Sequence, residues 1–276
     1  MSTHLRQRHL HEFLLGGFAT YGALWLAVES ISAFFVSLEP AGWFPYSILL
    51  TLAAIGGLWR AWPQRRIEFA IPGSDSWFEI RFGNVFDGKA LVVIPVNEYF
   101  DGELGDHVSE YSLHGQFIKD VLGGQSKMFY DLTDDALKDV DPDEERVARR
   151  SGRCDRYAIG TVARVDLYDR RYLLAVLSHT DLSSLKASAS VHDLWRCLAG
   201  VWTGIRTYSN GRLVSIPLFG SGLSGVGLPP RYLVEIVVTS FLYHTKEKKV
   251  ASRVTLVLPR RLAGHVDLKG IKRRWT

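Results

Sequence analysis

Hydrophobic residues are arranged in two different ways along this chain, and the change falls near residue 60. Residues 13–38 read FLLGGFATYGALWLAVESISAFFVSL and residues 43–59 read WFPYSILLTLAAIGGLW, with Glu29 and Glu39 as the only charges between Phe13 and Trp59. A helix crossing a bilayer needs about 20 mostly apolar residues. The first run is long enough and the second lies at the short end of the range. Residues 39–42 (EPAG) separate them, too few for a domain, so residues 1–63 predict a tight two-helix transmembrane hairpin. A cleaved signal peptide carries a shorter apolar core, about 7–15 residues before a small-residue cleavage site, and here a second apolar run follows at once. A buried helical hairpin of a soluble protein is the other reading of the same pattern.

The flanks set an orientation. Trp43, Phe44 and Tyr46 mark one end of the second helix and Trp59 and Trp62 the other, as aromatic belts do at headgroup level. Arg6 and His9 precede the first helix, and Arg60, Arg65 and Arg66 follow the second. Positive flanks stay cytosolic, so a two-pass inner-membrane topology is expected, with the remainder of the chain in the cytoplasm. Glu29 interrupts the first span. A carboxylate at mid-membrane costs about 2.5–3.5 kcal/mol and commonly marks function or a protein contact. The alternative is that it snorkels to the outer interface, close to the end of the run. Gly16, Gly17, Gly22 and Ala23 on the first helix, with Gly56 and Gly57 on the second, permit close helix approach.

Residues 64–76 are basic, then contain Pro, Gly and Ser, and read as a connector. Beyond them the pattern changes. WFEIRF (77–82) alternates as a strand, and ALVVIPV (90–96) is the continuous apolar run of a strand buried on both faces. Helical periodicity marks 112–122, 191–208 and 231–244. Further strands are expected at 157–165, at 172–180, from 213, and at 253–259. Residues 133–145 are polar and acidic, as in a surface excursion. Strands alternating with helices predict an α/β domain over 77–276, a mixed sheet flanked by helices. Ligands in such folds bind beyond the carboxyl ends of the strands.

Composition changes this picture little. The chain is 47% hydrophobic and 22% charged with a net charge of +4, ordinary for a folded protein. Its basic residues form no stripe with base-stacking aromatics, so nucleic acid is not an expected partner. Cys154 and Cys197 have no metal-ligand spacing around them, and reduced thiols, with no metal and no cofactor, are expected.

Three loops carry candidate chemistry. The strand from residue 213 runs into Gly220, Ser221, Gly222, Leu223, Ser224, Gly225, Val226 and Gly227, and a helix follows behind Pro229 and Pro230. Glycines allow close backbone approach, and free N–H groups beside a helix start favour an anion. The lysine of a P-loop is missing. The strand over 90–96 delivers Asn97, able to donate to and accept from a sugar, and the next helix starts near Ser112, a plausible N-cap. In RFGNVFDG (81–88), Asn84 either reads an adenine edge or stabilises a turn.

These loops, in this order, resemble the macro domain, an ADP-ribose-binding α/β fold, over 77–276. Gly83, Asn84 and Val85 stand where macro domains carry a Gly-Asp-Ile adenine turn. Ile94 to Asn97 (IPVN) keep only the last Asn of the Asn-Ala-Ala-Asn segment. SGLSG, Ser221 to Gly225 behind Gly220, has the shape of the loop that wraps a diphosphate, with Ser224 in place of its aromatic. HVSEYSLHGQF, containing Ser112, Leu113 and His114, replaces the usual glycine-rich first loop.

With two apolar helices in front, the whole resembles the membrane effector of type II Thoeris anti-phage systems. That resemblance implies a partner TIR-domain enzyme that makes an ADP-ribose-containing signal from NAD. It also implies a macro domain that binds the signal without hydrolysing it, and a ligand-induced homo-oligomer that disrupts the lipid bilayer. The alternatives are a membrane-tethered ADP-ribosyl or nucleotide hydrolase centred on Asn97, and a scaffold without a ligand.

Overall fold

The apolar N-terminal runs form helices. In a computed structural model that describes residues 3–34, 43–105, 107–149, 151–222 and 225–275, α1 spans Thr3–Phe34 and α2 spans Phe44–Ala61. The expected turn at 39–42 lies outside the described residues. The two helices belong to one compact unit, Met1–Gln64, and the rest of the chain, Arg65–Thr276, to another. Within the first unit the helices touch through glycine. A Cβ on Gly56 would lie 2.1 Å from Thr20 Oγ1, and one on Gly57 2.6 Å from the Phe13 carbonyl oxygen. Gly16 packs against Arg60 and Gly17 against Ala53, whereas a Cβ on Gly22 would have no neighbour within 4 Å among the described residues. Glu12 accepts from Arg60 Nε at 3.0 Å near the same end. The outward faces are apolar, with Phe18, Leu26, Leu50 and Trp59 exposed, and Glu29 is exposed as well.

The expectation of two spanning helices is met in part. Among the described residues, the stretch His9–Ala33 is long and apolar enough to cross a membrane. Helix α2 has 18 residues, about 27 Å at ~1.5 Å per residue, against a hydrocarbon core of about 30 Å.

The second unit is built on a mixed sheet. Its strands are β1 (Arg66–Ala70), β2 (Trp77–Phe82), β3 (Leu91–Asn97), β4 (Val162–Leu167), β5 (Arg170–Thr180), β6 (Ala187–Ser188), β7 (Val214–Pro217) and β8 (Arg253–Leu258). Their order is β1-β2-β8-β7-β3-β5-β4, with β6 on β5. Strands β2, β8, β7, β3 and β5 run parallel, and β1 and β4 pair antiparallel at the two edges. Helices α3 (Leu113–Gln116), α4 (Ser126–Leu137), α5 (Val191–Tyr208), α6 (Pro230–Glu247) and α7 (Leu268–Trp275) flank it. Residues Leu91 to Ile94 of β3 are buried, as a central parallel strand requires. A capping box between Ser190 and Asp193 opens α5, and Trp202 Nε1 donates to Ser240 Oγ at 2.8 Å to tie α5 to α6.

Three expectations are corrected. The connector over 64–76 contains β1, because Ile67 and Phe69 turn inward between outward Arg66 and Glu68. The helix over 112–122 is α3 followed directly by a π-helical turn, Phe117–Val121, in which Leu122 N bonds to the Phe117 carbonyl at 3.1 Å. Its wider repeat places Phe117, Ile118 and Leu122 in the core. The start of the acidic excursion belongs to α4, whose Phe129, Thr133 and Leu137 form a buried stripe at helical spacing.

One feature of the sheet makes room for a site. Strands β3 and β7 pair only at Leu91–Val214 and Val92–Ser215. Beyond that point stand Pro95 and Pro217, which bring no N–H to a ladder, and the carboxyl ends of the two strands part.

Candidate functional site

A cavity of about 600 Å³ opens at that parting. Every parallel strand feeds it. β2 leads into Gly83, Asn84 and Val85, β3 into Asn97, and β5 contributes Leu177 and Ser178. β7 leads into Gly220, Ser221 and Gly222, and β8 into Pro259, Arg260 and Arg261. Ser112, Leu113 and His114 close another side from α3. The loops singled out in the sequence thus converge on one cavity. Leu223 and Ser224 fall outside the described residues, and Gly225 lies off the wall, its N–H bonded to the Gly222 carbonyl at 3.2 Å.

Each loop is held differently. Asn84 is exposed, and its Oδ1 accepts from Phe86 N at 3.0 Å, so its oxygen serves the turn while buried Val85 forms wall. Ser112 is the expected N-cap: its Oγ accepts from Gly115 N at 2.9 Å and donates to the Ser109 carbonyl at 2.7 Å. Gly220 has φ +73°, and a Cβ there would lie 2.5 Å from Val226 Cγ2. Ser221 Oγ donates to the Leu218 carbonyl at 2.7 Å. Gly222 has nothing within 4 Å of a Cβ among the described residues.

Asn97 lines the cavity and also braces the loop that follows it. Its Nδ2 donates to Asp101 Oδ2 at 2.8 Å and its Oδ1 accepts from Asp101 N at 3.1 Å, so both ends of the amide serve the loop. Asp101 is fully buried and accepts further from Arg149 Nη1 and Nη2, both at 3.0 Å, and from Arg153 N at 3.2 Å. Arg149 lies 3.9 Å from the centroid of the Tyr99 ring. His107, which lines the cavity, meets Ser151 Oγ at 2.8 Å. Arg149, Ser151 and Arg153 are thereby stitched to the loop after β3.

The electrostatics of the wall were not anticipated. Among its described residues, Lys186, Arg260 and Arg261 are cationic and none is a carboxylate. Arg260 and Arg261 could have been found, because they follow the last buried strand directly. Lys186 sits in a polar loop without a motif. His114 is buried, and burial pushes its imidazole down to about 4, with the Asp101 charge opposing the shift. A smaller hollow of about 410 Å³, lined by Tyr130, Arg153 and Tyr157, lies elsewhere on the same unit.

Residues 78–259 match the family model described as Thoeris protein ThsA, Macro domain. The chain belongs to this family. Within the ThsA macro-domain family, the Thoeris protein ThsA of Bacillus amyloliquefaciens is 29% identical over 206 residues, which cover 71% of this chain and 66% of that protein. The chain therefore matches just under two thirds of that relative's length. A mutant of the Oceanobacillus iheyensis macrodomain superposes with a TM-score of 0.53 at 14% identity, covering 76% of this chain and 98% of its own. The same macrodomain with ADP gives 0.51 at 14%, covering 76% and 97%. At such identity the likeness is one of fold, and it places the ThsA macro domain of this chain among macrodomains.

Proposed function

We propose that this domain binds an ADP-ribose-derived nucleotide in the cavity without turning it over, and that the N-terminal helices carry the response into a membrane. The observation that carries the reading is the wall itself: three cations and no carboxylate among its described residues, beside a glycine loop at the ends of parallel strands. A diphosphate is anionic, and a cleft lined by one sign of charge concentrates the opposite sign. The similar macrodomain fold with ADP is in keeping with this. The same wall supports the reading of binding without turnover. Acid–base catalysis needs a titratable group in reach. Here the described wall has no carboxylate, its imidazoles are His107, which meets Ser151, and buried His114, and the Asn97 amide already binds Asp101, a set that favours binding over turnover.

The anchor rests on the His9–Ala33 helix and on the apolar outward faces of α1 and α2. The rest of the reading is a two-pass inner-membrane protein with its macro domain in the cytoplasm. Its signal comes from a TIR-domain enzyme that consumes NAD, and ligand-driven self-assembly breaches the bilayer. Gly16, Gly56 and Gly57 are occupied within one hairpin, so copies meet through the outward faces, where exposed Glu29 stands. A ligand drives assembly only by binding the assembled state more tightly.

The test is calorimetry of ADP-ribose with the full-length detergent-solubilised protein, chromatography of the nucleotide after hours, and mass photometry with and without it. Saturable heat, intact nucleotide and larger particles are expected. Steady loss of nucleotide that Asn97→Ala abolishes would establish the hydrolase instead, and no heat at millimolar ligand would remove the nucleotide reading.

A further inference from the structure

A buried polar atom left unpaired retains a desolvation cost of about 1–3 kcal/mol, so folded proteins pair nearly all of them. His114 departs from that rule. It is 5% exposed, it lines the cavity, and its Nε2 has no hydrogen-bond partner among the described residues. The backbone around it is closely fixed. Ser112 caps the turn that carries it, and the neighbouring Gly115 approaches the Ser109 carbonyl so closely that a Cβ would lie 2.2 Å from the oxygen. The π-helical turn Phe117–Val121 follows, a distortion frequent at functional sites. Phe129 of α4 packs on the imidazole with ring centroids 5.1 Å apart. A polar ring is held at the cavity wall with an unpaired nitrogen.

We propose that His114 is a ligand-reading residue whose imidazole hydrogen-bonds a sugar hydroxyl of the bound nucleotide. This rests on the nucleotide reading above. Two observations select a hydroxyl over a phosphate. The ring is 5% exposed, and burial disfavours its charged form, while the Asp101 carboxylate that acts on it is itself paired with Arg149. The cations that suit a phosphate stand on other elements, Lys186 before β6 and Arg260 and Arg261 after β8; His107, from the loop after β3, lines the same cavity. A neutral imidazole nitrogen offers either an N–H or a lone pair, and a hydroxyl complements both.

The test uses the full-length protein in detergent with ADP-ribose, ADP and ribose 5-phosphate as probes, in wild type, His114→Phe and His114→Gln. His114→Phe should melt at or above wild type, because an unpaired polar atom leaves a ring-sized site. It should nevertheless bind ADP-ribose about 10–100-fold more weakly, the loss of one hydrogen bond with a buried group. His114→Gln should recover part of that affinity. The ratio of wild-type to His114→Gln affinity should stay flat between about pH 8 and about pH 5.5, since a hydroxyl contact needs no protonated ring of ordinary pKa ~6.5. Taking the ratio cancels the titration of His107 and of other shared groups. A ratio that climbs on acidification would mean an imidazolium–phosphate contact and would overturn the assignment. A His114→Phe protein that binds like wild type, or that melts well below it, also overturns it, the second outcome by showing a structural role. If wild type responds to no member of the panel, the nucleotide reading has failed and the role of His114 with it. If wild type binds and His114→Phe binds equally, only the role of His114 has failed.

Discussion

The loop that follows β3 and the loop that follows β7 border the same cavity, yet they are held by different chemistry. The first is braced by buried side chains: Asn97, Asp101 and Arg149 form a closed set of hydrogen bonds, and His107 meets Ser151 beside them. The second is held by backbone, through the positive φ of Gly220 and the turn bonds of Ser221 and Val226. A loop fixed by buried charge resists motion but tolerates no loss of a partner. A loop fixed by glycine leaves the space before Gly222 to a ligand, while the N–H groups of Ser221, Gly225 and Val226 bond within the loop. The protein thus fixes the two sides of one cavity by different means.

The sharpest way to break this comparison is Arg149→Ala. Removing one member of a buried ion pair strands the other, at a cost of about 3–5 kcal/mol, and Asp101 has no exposure through which to recover hydration. Since a domain of this size loses about 2–4 °C per kcal/mol, the melting temperature should fall by several degrees or more. A loss below 1 kcal/mol in chemical denaturation would show that the brace is not structural. Next in size is Gly220→Ala. Forcing a residue with a Cβ into the left-handed region costs about 1–3 kcal/mol, and here that Cβ also meets Val226. Gly222→Val is the contrast. Among the described residues nothing lies within 4 Å of its Cβ, so melting should hardly move, while calorimetry with ADP-ribose should show binding weakened or lost. If Gly222→Val unfolds the protein, or binds normally, the division between the loops is wrong.

The two loops also differ in how legible they were as sequence. The β7 loop could be read directly, because its glycines are contiguous and follow a buried strand. The strand before Asn97 was equally plain, since burial on both faces leaves an unbroken apolar run. The use made of Asn97 was hidden. Arg149 lies 48 residues from Asp101, and no local pattern announces a pairing that tertiary structure alone creates. The same holds for the basic wall: Arg260 reaches the cavity because β8 lies between β2 and β7, an order that periodicity does not contain. Strand β1 was missed because only Ile67 and Phe69 mark its inner face among charged neighbours. In the N-terminal unit the glycines marked a helix contact, but whether that contact lies within one hairpin or between copies depends on which partner comes near.

The smallest expected effect concerns a second brace on the β3 side. Glu98, next to Asn97, accepts from Thr180 N at 3.0 Å and meets His179 Nδ1 at 2.7 Å, while His179 Nε2 lies 3.4 Å from Asp193 Oδ1 at the start of α5. Burial works against a charge on this ring, but the hydrogen bond and charge of Glu98, then those of Asp193, outweigh it and raise the imidazole pKa. A group whose pKa is raised on folding stabilises fully below its unfolded value, about 6.5 for histidine, and loses that contribution as pH rises through the folded value. Asp193 sets the other limit. Burial raises its carboxyl, yet the Ser190 hydrogen bonds and the His179 charge bring it net below the ordinary range, so its share is lost only as pH falls through that lowered value. The ring is about half exposed, and solvent screening keeps the pair weak. The melting difference between wild type and His179→Gln should therefore be small, greatest near about pH 5.5, and gone by about pH 9. A difference that grows toward alkaline pH would contradict the assignment of a charged ring. Repeating the pair on a Gly222→Val background separates the loops: the pH dependence should be unchanged, because the described residues of that loop share no partner with Glu98, His179 or Asp193, and any change would mean that the two sides of the cavity are coupled after all.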